Sequence, residues 1–388
     1  MIKQLQKQFK DIFNTYDEEV QCFFAPGRIN LIGEHIDYNG GYVFPAAISI
    51  GTYALVSERE DQAIHFYSLN MKGKEPIVCQ LADLSYKKAD AWANYPKGIF
   101  YYLQKAGIQL NRGLNIMYYG EIPNGAGLSS SASIEMVTAI ALKQLFNLSL
   151  DMKELVLLGK KVENEYIGVN SGIMDQFSVG FGKKDHAILL DCHTLEHHYA
   201  PIQLDNYKIM IIHTNKRRSL AESKYNERKQ ECENALTDLQ EALDVHYLCE
   251  ITGEQFEQYK HLIRDDLHRN RAAHVIYEHA RTKAAYDSLL KQDLDDFGQL
   301  MFDSHDSLKH LYEVSGIELD TIVESAQQAE GVLGARMTGA GFGGCAIAIV
   351  EEEKIDQVKE AIIETYIERI GYAPSFYEAD ISDGPKQI

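Results

Sequence analysis

The sequence predicts an α+β protein of about two domains. Segments that favour strands and segments that favour helices follow one another without a regular βαβ alternation, which disfavours a doubly wound sheet. The chain has 388 residues, of which 45% are hydrophobic, so each of two domains can bury a core of its own. We place the boundary between the two domains near residues 195–205.

The first half of the chain begins with a predicted helix. Residues 1–16 are charged and carry Ile2, Leu5, Phe9 and Phe13 at helical spacing, which indicates a surface helix and not a signal peptide. Alternating apolar segments then favour strands, and apolar residues at a spacing of three and four favour helices. The predicted elements are a strand-rich region at 42–66, a strand at 114–119, a helix that starts near 130, and a helix at 151–168.

The second half is predicted to be richer in helices. Short runs of Ile, Leu, Val and Met mark buried strands, and long amphipathic segments lie between them. The predicted strands are 187–190, 208–213 and 345–350, with a short one at the end of the chain. The predicted helices lie at about 219–243, 254–265, 270–290, 294–310, 316–329 and 352–370.

The composition argues against several kinds of binding partner. A net charge of −19 argues against nucleic acid and against an anionic membrane surface, so an anionic ligand would need local positive charge from a metal ion, helix ends or arginines. Six widely spaced cysteines without a Cys-x-x-Cys pair indicate neither a zinc site nor a disulfide framework. The longest apolar runs are too short to cross a membrane. We therefore expect a soluble, globular protein of a reducing compartment, which we place in the cytoplasm. We also expect it to be a monomer.

The segment Gly125-Ala126-Gly127-Leu128-Ser129-Ser130-Ser131-Ala132-Ser133 is the strongest local signal in the chain. Glycine lets the backbone approach a ligand, and the N–H groups of the first helical turn, which have no partner inside the helix, attract an anion. The serine hydroxyls add donors and a candidate ligand for Mg²⁺. The segment thus predicts a phosphate-binding loop and a nucleotide-dependent enzyme. A flexible linker is the alternative, but a linker does not run directly into a patterned helix.

Two better-known nucleotide motifs are missing or misplaced. No Gly-x-x-x-x-Gly-Lys-[Ser/Thr] sequence occurs, and His268-Arg269-Asn270, the nearest match to the protein-kinase catalytic loop, lacks the aspartate. Residues 337–344 contain Gly-x-Gly-x-x-Gly, but the glycines precede a strand, whereas a dinucleotide fingerprint joins a strand to a helix. We expect a tight turn there, packed near the phosphate loop.

Two other segments carry candidate polar groups. Residues 25–41 hold Arg28, Glu34, His35 and Asp37 among turn-forming residues, a set suited to the hydroxyls of a sugar, although a polar surface turn is the simpler interpretation. Asp175 follows a helix and a turn. An aspartate in such a position is most often a helix N-cap. The residues after Asp175, however, favour a strand, which makes an N-cap a weak interpretation here. Glu163, near the end of the preceding helix, can reach the same cavity as a metal ligand.

Two charged groups give weaker signals. His193, His197 and His198 contain a His-x-x-x-His spacing, which converges on a metal only in a helix, and this segment between two strands predicts a turn. Lys216, Arg217 and Arg218 favour a solvated surface, with a role near the nucleotide as the alternative.

Taken together, these motifs resemble those of the galactokinases in the GHMP small-molecule kinase superfamily, over nearly the whole chain. Residues 27–38, Gly-Arg-Ile-Asn-Leu-Ile-Gly-Glu-His-Ile-Asp-Tyr, are similar to the signature of galactokinases, and the loop 125–133 to that of GHMP kinases generally. The turn 339–344 is the third match, and further similar blocks lie at 172–176, 271–275, 304–308, 312–315 and 318–320. Gly316-Ile317 departs from the proline common there, which affects only a loop or a helix start.

The resemblance implies a bilobal fold with the active site between the lobes. The lobe 1–200 would carry the sugar loop and the phosphate loop, and the lobe 201–388 would carry helices, an antiparallel sheet and the glycine-rich turn. The implied reaction is transfer of phosphate from ATP, with Mg²⁺, to the C1 hydroxyl of α-D-galactose.

The resemblance also assigns roles to individual residues. Asp175 would accept the proton, and Arg28 beside it would keep that carboxylate ionised and stabilise charge. The implied sugar-binding residues are Glu34, His35, Ile36, Asp37, Gly172, Asp175 and Tyr225. The implied nucleotide-binding residues are Ser68, Gly125, Ala126, Gly127, Leu128, Ser129, Ser130 and Ser131, and the implied Mg²⁺ ligands are Ser131 and Glu163.

Three other functions fit parts of this pattern. A kinase of N-acetylgalactosamine or of another sugar would use the same frame. A sugar sensor that regulates transcription would be expected to lose part of the phosphate loop or the base, and both are intact here. A kinase of a non-sugar alcohol such as mevalonate or homoserine would have no need of Glu34, His35 and Asp37.

Overall fold

Three sheets organise the described part of the protein, seen here in a computed structural model. It describes the chain except residues 16–18, 72–74, 124, 170 and 217–220 and the side chains of 221–223. The strands are β1 (Gln21–Asn30), β2 (Tyr42–Val43), β3 (Pro45–Arg59), β4 (Ala63–Ser68), β5 (Ile77–Gln80), β6 (Gly113–Gly120), β7 (His186–Asp191), β8 (His197–Pro201), β9 (Tyr207–His213), β10 (Val332–Thr338), β11 (Cys345–Glu351), β12 (Ser375–Glu378) and β13 (Lys386–Gln387).

The strands pair mostly antiparallel. A six-stranded sheet has the order β13-β1-β3-β6-β4-β5, with β4 and β6 parallel, and a four-stranded sheet has the order β10-β11-β9-β12. A third, three-stranded sheet is ordered β2-β7-β8. The mixture of antiparallel sheets with a single parallel pair confirms the α+β prediction.

Helices cover these sheets. They are α1 (Ile2–Phe13), α2 (Asn94–Lys105), α3 (Ser130–Leu145), α4 (Met152–Lys161), α5 (Met174–Gly180), α6 (Ala221–Leu239), α7 (Gly253–Tyr259), α8 (Asp266–Lys291), α9 (Leu294–Ser307), α10 (Ile317–Gln328) and α11 (Ile355–Ile370). Helix α3 packs on β1 and β3 and also contacts α2, α4 and α5, while α9 and α10 pack on β10. None of the helices described is both long and apolar enough to cross a membrane.

Most of the predicted elements are confirmed, but β1, β5, β8 and α2 were not predicted. The turn predicted around the histidines is wrong for His197 and His198, which begin β8 and pair with β7. Two further predicted elements differ from the structure. Helix α7 ends at Tyr259, earlier than the predicted 265. The segment after Asp175 is helix α5 and not the predicted strand, and nearly all of its residues are buried. A helix buried on all sides loses the polar face that marks helical periodicity, so its sequence looks like a strand.

Helix α4 continues without a break into a π-helical segment, Val162–Ile167, which holds Glu163. One wider turn of this kind changes the direction of the side chains that follow it. The start of α4 is fixed by a capping box in which the Asp151 side chain accepts from the N–H of Glu154 and the Glu154 side chain accepts from the N–H of Asp151. The segment therefore holds Glu163 on a well-anchored helix.

Candidate active site

A cavity of about 280 Å³ opens where the loop 31–41 between β1 and β2 (the first loop), α3, α5, α6 and the turn after β10 meet. Nine of the predicted site residues line it: Arg28, Glu34, His35, Asp37, Ser131, Glu163, Gly172, Asp175 and Tyr225. They come from positions up to about 200 apart in the chain, so the fold, and not local sequence, brings them together. The cavity is also lined by residues that the sequence did not single out for it, namely Tyr95, Gly168, Val169, Ser171, Met174, Asn226, Gly339 and Ala340.

Arg28 and Asp175 form the central contact of this cavity. Arg28 lies on β1 and Asp175 in the first turn of α5. The Asp175 Oδ1 atom lies 2.9 Å from Arg28 Nε and 2.7 Å from Arg28 Nη2. The remaining guanidinium nitrogen, Nη1, donates to the carbonyl oxygen of Gly127 at 2.6 Å. One buried arginine thus connects the aspartate to the glycine-rich loop.

That loop has the backbone its composition predicts. Gly125 and Gly127 have φ values of 73° and 75°, and Ser129 has 61°, before α3 begins at Ser130. The loop rests on β1, because the N–H of Arg28 donates to the carbonyl oxygen of Leu128 and a Cβ on Gly27 would lie 2.8 Å from that same oxygen. The side chains of Ala126 and Leu128 are buried, so only the backbone and the serines can meet a ligand.

Ser131 and Glu163 meet at the start of α3. Glu163 is buried, its Oε2 accepts from the Ser171 hydroxyl at 2.7 Å, and the Ser131 hydroxyl lies beside the same carboxylate. Burial raises the pKa of Glu163, Asp175 raises it further, and the hydroxyl donors act in the opposite direction. A hydroxyl and a carboxylate in contact offer the hard oxygen donors that suit Mg²⁺. The donor set therefore fits the predicted metal.

Two acidic residues of the first loop face the same cavity with raised pKa values. Burial raises the pKa of Glu34 to about 7, although the carboxylate is paired with Arg336 and accepts from the N–H of Gly339. Burial and then the neighbouring Asp175 raise the pKa of Asp37 to about 6. Gly172 makes room for Asp37, since a Cβ on Gly172 would lie 1.8 Å from Asp37 Oδ2.

His35 is held as a neutral ring by bonds within the protein. Its Nε2 lies 3.2 Å from the carbonyl oxygen of Ala340, which can only accept, so Nε2 carries the proton and Nδ1 accepts from the Tyr38 hydroxyl at 2.8 Å. Burial lowers the pKa of His35 to about 3. The Tyr225 ring packs 5.5 Å from the His35 ring and 5.3 Å from the Tyr38 ring, measured between centroids.

Some predicted residues lie outside the cavity lining. Ile36 is fully buried, and its carbonyl oxygen accepts from the N–H groups of Asn39 and Gly41, so it shapes the loop from behind. Ser68 ends β4, where its hydroxyl accepts from the N–H of Asn70. The loop residues Gly125 to Ser130 do not line the cavity themselves. They lie next to it, since Ser131 follows them in the chain and Arg28 donates to the carbonyl oxygen of Gly127.

The structure also shows where the glycine-rich turn, the histidines and the basic cluster lie. The turn after β10 precedes β11 as predicted, and it packs on the phosphate loop, since a Cβ on Gly339 would lie 2.8 Å from the carbonyl oxygen of Gly127. The His197 ring packs against Phe177 and Phe181, with centroids 5.2 Å and 5.1 Å away. In the part of the chain that is described, no three His, Cys, Asp or Glu residues form a metal cluster. Lys216 pairs with Glu318, and Arg217 and Arg218 lie outside the described residues.

Ser171 and the turn at 339–340 are the site residues most easily found from sequence. Ser171 lies next to Gly172, and its hydroxyl donates a hydrogen bond to Glu163. Ala340 belongs to the turn that the sequence already places beside the phosphate loop. Tyr95 and Asn226 carry no comparable local signal, because their neighbours are helical residues of ordinary composition.

Comparisons with known proteins show which proteins this chain resembles. Three family models match the chain: the GHMP kinases N terminal domain at residues 94–183, the galactokinase galactose-binding signature at 7–58, and the GHMP kinases C terminal domain at 285–368. The galactokinase of Staphylococcus carnosus is 55% identical over 388 residues and that of Ligilactobacillus salivarius is 53% identical over 386 residues. The alignments cover 100% of this chain and 100% and 99% of those proteins, respectively.

Solved structures show the same relationship. The crystal structure of Lactococcus lactis galactokinase complexed with galactose has a TM-score of 0.97 and 48% sequence identity, and the match covers all of both chains. The mevalonate kinase of Methanococcus jannaschii has a TM-score of 0.66 at 22% identity, over 95% of this chain and 100% of that one. The second likeness shows a shared fold alone.

Proposed function

The chain belongs to the galactokinase family of the GHMP kinases, and from that premise we propose how its cavity carries out the reaction. It is a kinase that transfers the γ-phosphoryl group of ATP to galactose. The proposal concerns the residues that do so and the C1 hydroxyl that accepts the group. The observation that carries it is the contact of Asp175 with Arg28, which in turn binds the backbone of the phosphate loop.

Asp175 is proposed as the proton acceptor. Both Arg28 contacts are made with Oδ1, which leaves Oδ2 for the sugar hydroxyl. As the C1 oxygen attacks the γ-phosphorus, its proton passes to the Asp175 carboxylate and the bond between the γ-phosphorus and the bridging oxygen of ADP breaks. A positioned base of this kind contributes about 10²–10⁴-fold to the rate. Arg28 supports the step by placing positive charge beside the transferring group.

Galactose is proposed to bind between the first loop and Tyr225. Asp37 and Glu34 supply carboxylate acceptors, and a sugar hydroxyl is both donor and acceptor. His35 is proposed to order this end of the cavity by holding Ala340, since both of its ring nitrogens are already engaged. Gly172 leaves the space that Asp37 occupies.

The triphosphate is proposed to lie along the loop 125–131, with Ser68 near the nucleotide. The N–H groups in the first turn of α3 have no partner inside the helix and would bind an anion there. Ser131 and Glu163 are proposed to hold Mg²⁺ together with phosphate oxygens, and one or two protein ligands are usual for that ion. The ion would neutralise charge on the β- and γ-phosphates.

The cavity draws on both of the proposed lobes, 1–200 and 201–388. Arg28, Ser131 and Asp175 come from the first, and Tyr225 and Ala340 from the second. We propose that the protein acts as a monomer. Its six free cysteines fit our proposal of a cytoplasmic location, where thiols stay reduced.

The variant Asp175→Asn tests the proposed base. It keeps the shape of the side chain, so galactose binding measured by calorimetry should remain, while kcat for ADP release should fall by about 10²–10⁴-fold. Asp37→Asn is the matched control, because it alters a second acidic residue of the cavity and should act mainly on the KM for galactose. A kcat near that of the wild type in Asp175→Asn would rule out the base and leave orientation and charge as the mechanism.

A further inference from the structure

A buried carboxyl–carboxamide pair, Glu135 and Gln176, lies beneath the cavity and has no role in the reaction as described. Glu135 is on α3, one helical turn after Ser131, and Gln176 directly follows Asp175 on α5. Both side chains are 0% exposed. Gln176 Nε2 donates to Glu135 Oε2 at 3.1 Å.

The same carboxamide connects a third element. Gln176 also lies near the carboxylate of Glu163 and helps to lower its pKa, so the carboxamide connects the acidic groups of α3 and of the π-helical segment. Helix α4 closes the pair from the other side, because a Cβ on Gly159 would lie 3.0 Å from Gln176 Cγ and 3.3 Å from Glu135 Oε2. Helix α4 thus packs directly on the pair at Gly159.

The bridge is also costly, which argues against an incidental contact. Within the described chain, Glu135 Oε1 and Gln176 Oε1 are buried without a hydrogen-bond partner. Unpaired buried polar atoms of this kind are uncommon in native proteins. Burial, then the charges of Glu163 and Asp175, raise the pKa of Glu135 well above its ordinary value. An apolar pair would fill this space at lower cost, so the polar pair requires another explanation.

We propose that Glu135 and Gln176 are positioning residues that aim the Glu163 carboxylate at Ser131 and thereby set the metal affinity of the cavity. Gln176 supplies the donor that fixes Glu163, and Glu135 fixes Gln176 from behind. Partners of this outer kind orient metal ligands, and their loss costs about 10–100-fold in metal affinity. The inference rests on the role proposed above for Glu163.

The test measures metal binding directly, with Mn²⁺ in place of Mg²⁺ and ADP present, by electron paramagnetic resonance. Glu135→Ala and Gln176→Leu should each weaken Mn²⁺ binding by about tenfold or more, while the dissociation constant for galactose stays unchanged. Glu135→Gln keeps an acceptor for Gln176 and should restore most of the affinity lost in Glu135→Ala. Thermal melting of each variant identifies the folded ones, and the two independent substitutions keep the test valid when one of them does not fold.

Two further variants separate the possible failures. Ser178→Ala removes a buried hydrogen bond from the same helix, between Ser178 Oγ and the carbonyl oxygen of Met174, and should lower the melting temperature without weakening Mn²⁺ binding. Glu163→Gln tests the underlying role. If Glu163→Gln weakens Mn²⁺ binding and folded Glu135→Ala and Gln176→Leu do not, the positioning inference is wrong. If Glu163→Gln itself has no effect, the proposed metal ligand is wrong and the inference falls with it.

Discussion

Glu34, which lines the cavity, and Glu278, which lies outside its lining, differ in how much positive charge each receives. Glu278 is fully buried, which by itself raises a pKa, yet Arg281, His274 and Arg336 together lower its pKa to about 2. Glu34 shares Arg336 with it, and there burial prevails and the pKa rises to about 7. Arg336 acts most strongly on Glu34, whereas Glu278 owes its lowered pKa first to Arg281 and His274 and only then to Arg336.

Asp37 gives the cavity a pH dependence with a definite sign. Its pKa is raised to about 6, so the side chain becomes neutral as the pH falls through that value and loses its strength as an acceptor. We expect kcat/KM for galactose to fall as the pH is lowered below about 6, measured by an ADP-release assay across pH 5–8. Glu34 titrates in a neighbouring range, and Asp37→Asn separates the two. A decline at pH 6 that persists in Asp37→Asn would show that another group causes it.

Substitution of Gly172 tests whether Asp37 must occupy the space beside it for galactose to bind. An added methyl group would lie 1.8 Å from Asp37 Oδ2, so Gly172→Ala must displace that carboxylate. Overpacking costs of about 1–3 kcal/mol are typical, and we expect the KM for galactose to rise by about tenfold or more. Gly120→Ala, whose new methyl group would meet atoms no nearer than 3.8 Å, should leave that KM unchanged. Equal KM values in the two variants would mean that Asp37 does not contact the sugar.

At the scale of single elements, local sequence explains the phosphate loop better than it explains α5. The glycines and serines of 125–133 encode positive φ values and a helix start, and both are found. Helix α5 is short and buried nearly all round, so no periodic signal distinguishes it from a strand. The contact between the loop and the turn at 339–344 was expected from their composition, whereas its closeness depends on the packing of β1 and β10.

Gly339 tests that contact between two elements. Its φ is +85°, and a Cβ there would lie 2.8 Å from the carbonyl oxygen of Gly127, so Gly339→Ala would strain the turn and push on the phosphate loop. We expect a raised KM for ATP and a lower melting temperature. Gly371→Ala is the matched control, since its φ is +92° but no atom lies within 4 Å of the added carbon. Both variants carry the cost of a left-handed residue, about 1–2 kcal/mol, but only Gly339→Ala should change the KM for ATP.

The whole molecule is held together at the cavity by residues that no local pattern could identify. Arg336 on β10, in the four-stranded sheet, donates to the carbonyl oxygens of Asn30 and Leu31, at the end of β1 in the six-stranded sheet. The same guanidinium is paired with Glu34 and is 0% exposed. The sequence shows an arginine inside an apolar strand about 300 residues from its partners, and nothing in that strand indicates what it binds.

Arg336 should therefore contribute to stability as well as to the sugar site. Arg336→Met leaves the Glu34 carboxylate buried without its cation, and removal of one partner from a buried pair costs about 3–5 kcal/mol. Urea unfolding should show a loss of that size together with a higher KM for galactose. Arg369→Met breaks an ion pair whose side chains are 46% and 38% exposed, and such pairs contribute less than about 1 kcal/mol. If the two variants were equally stable, the two sheets would be held together by apolar packing and not through this arginine.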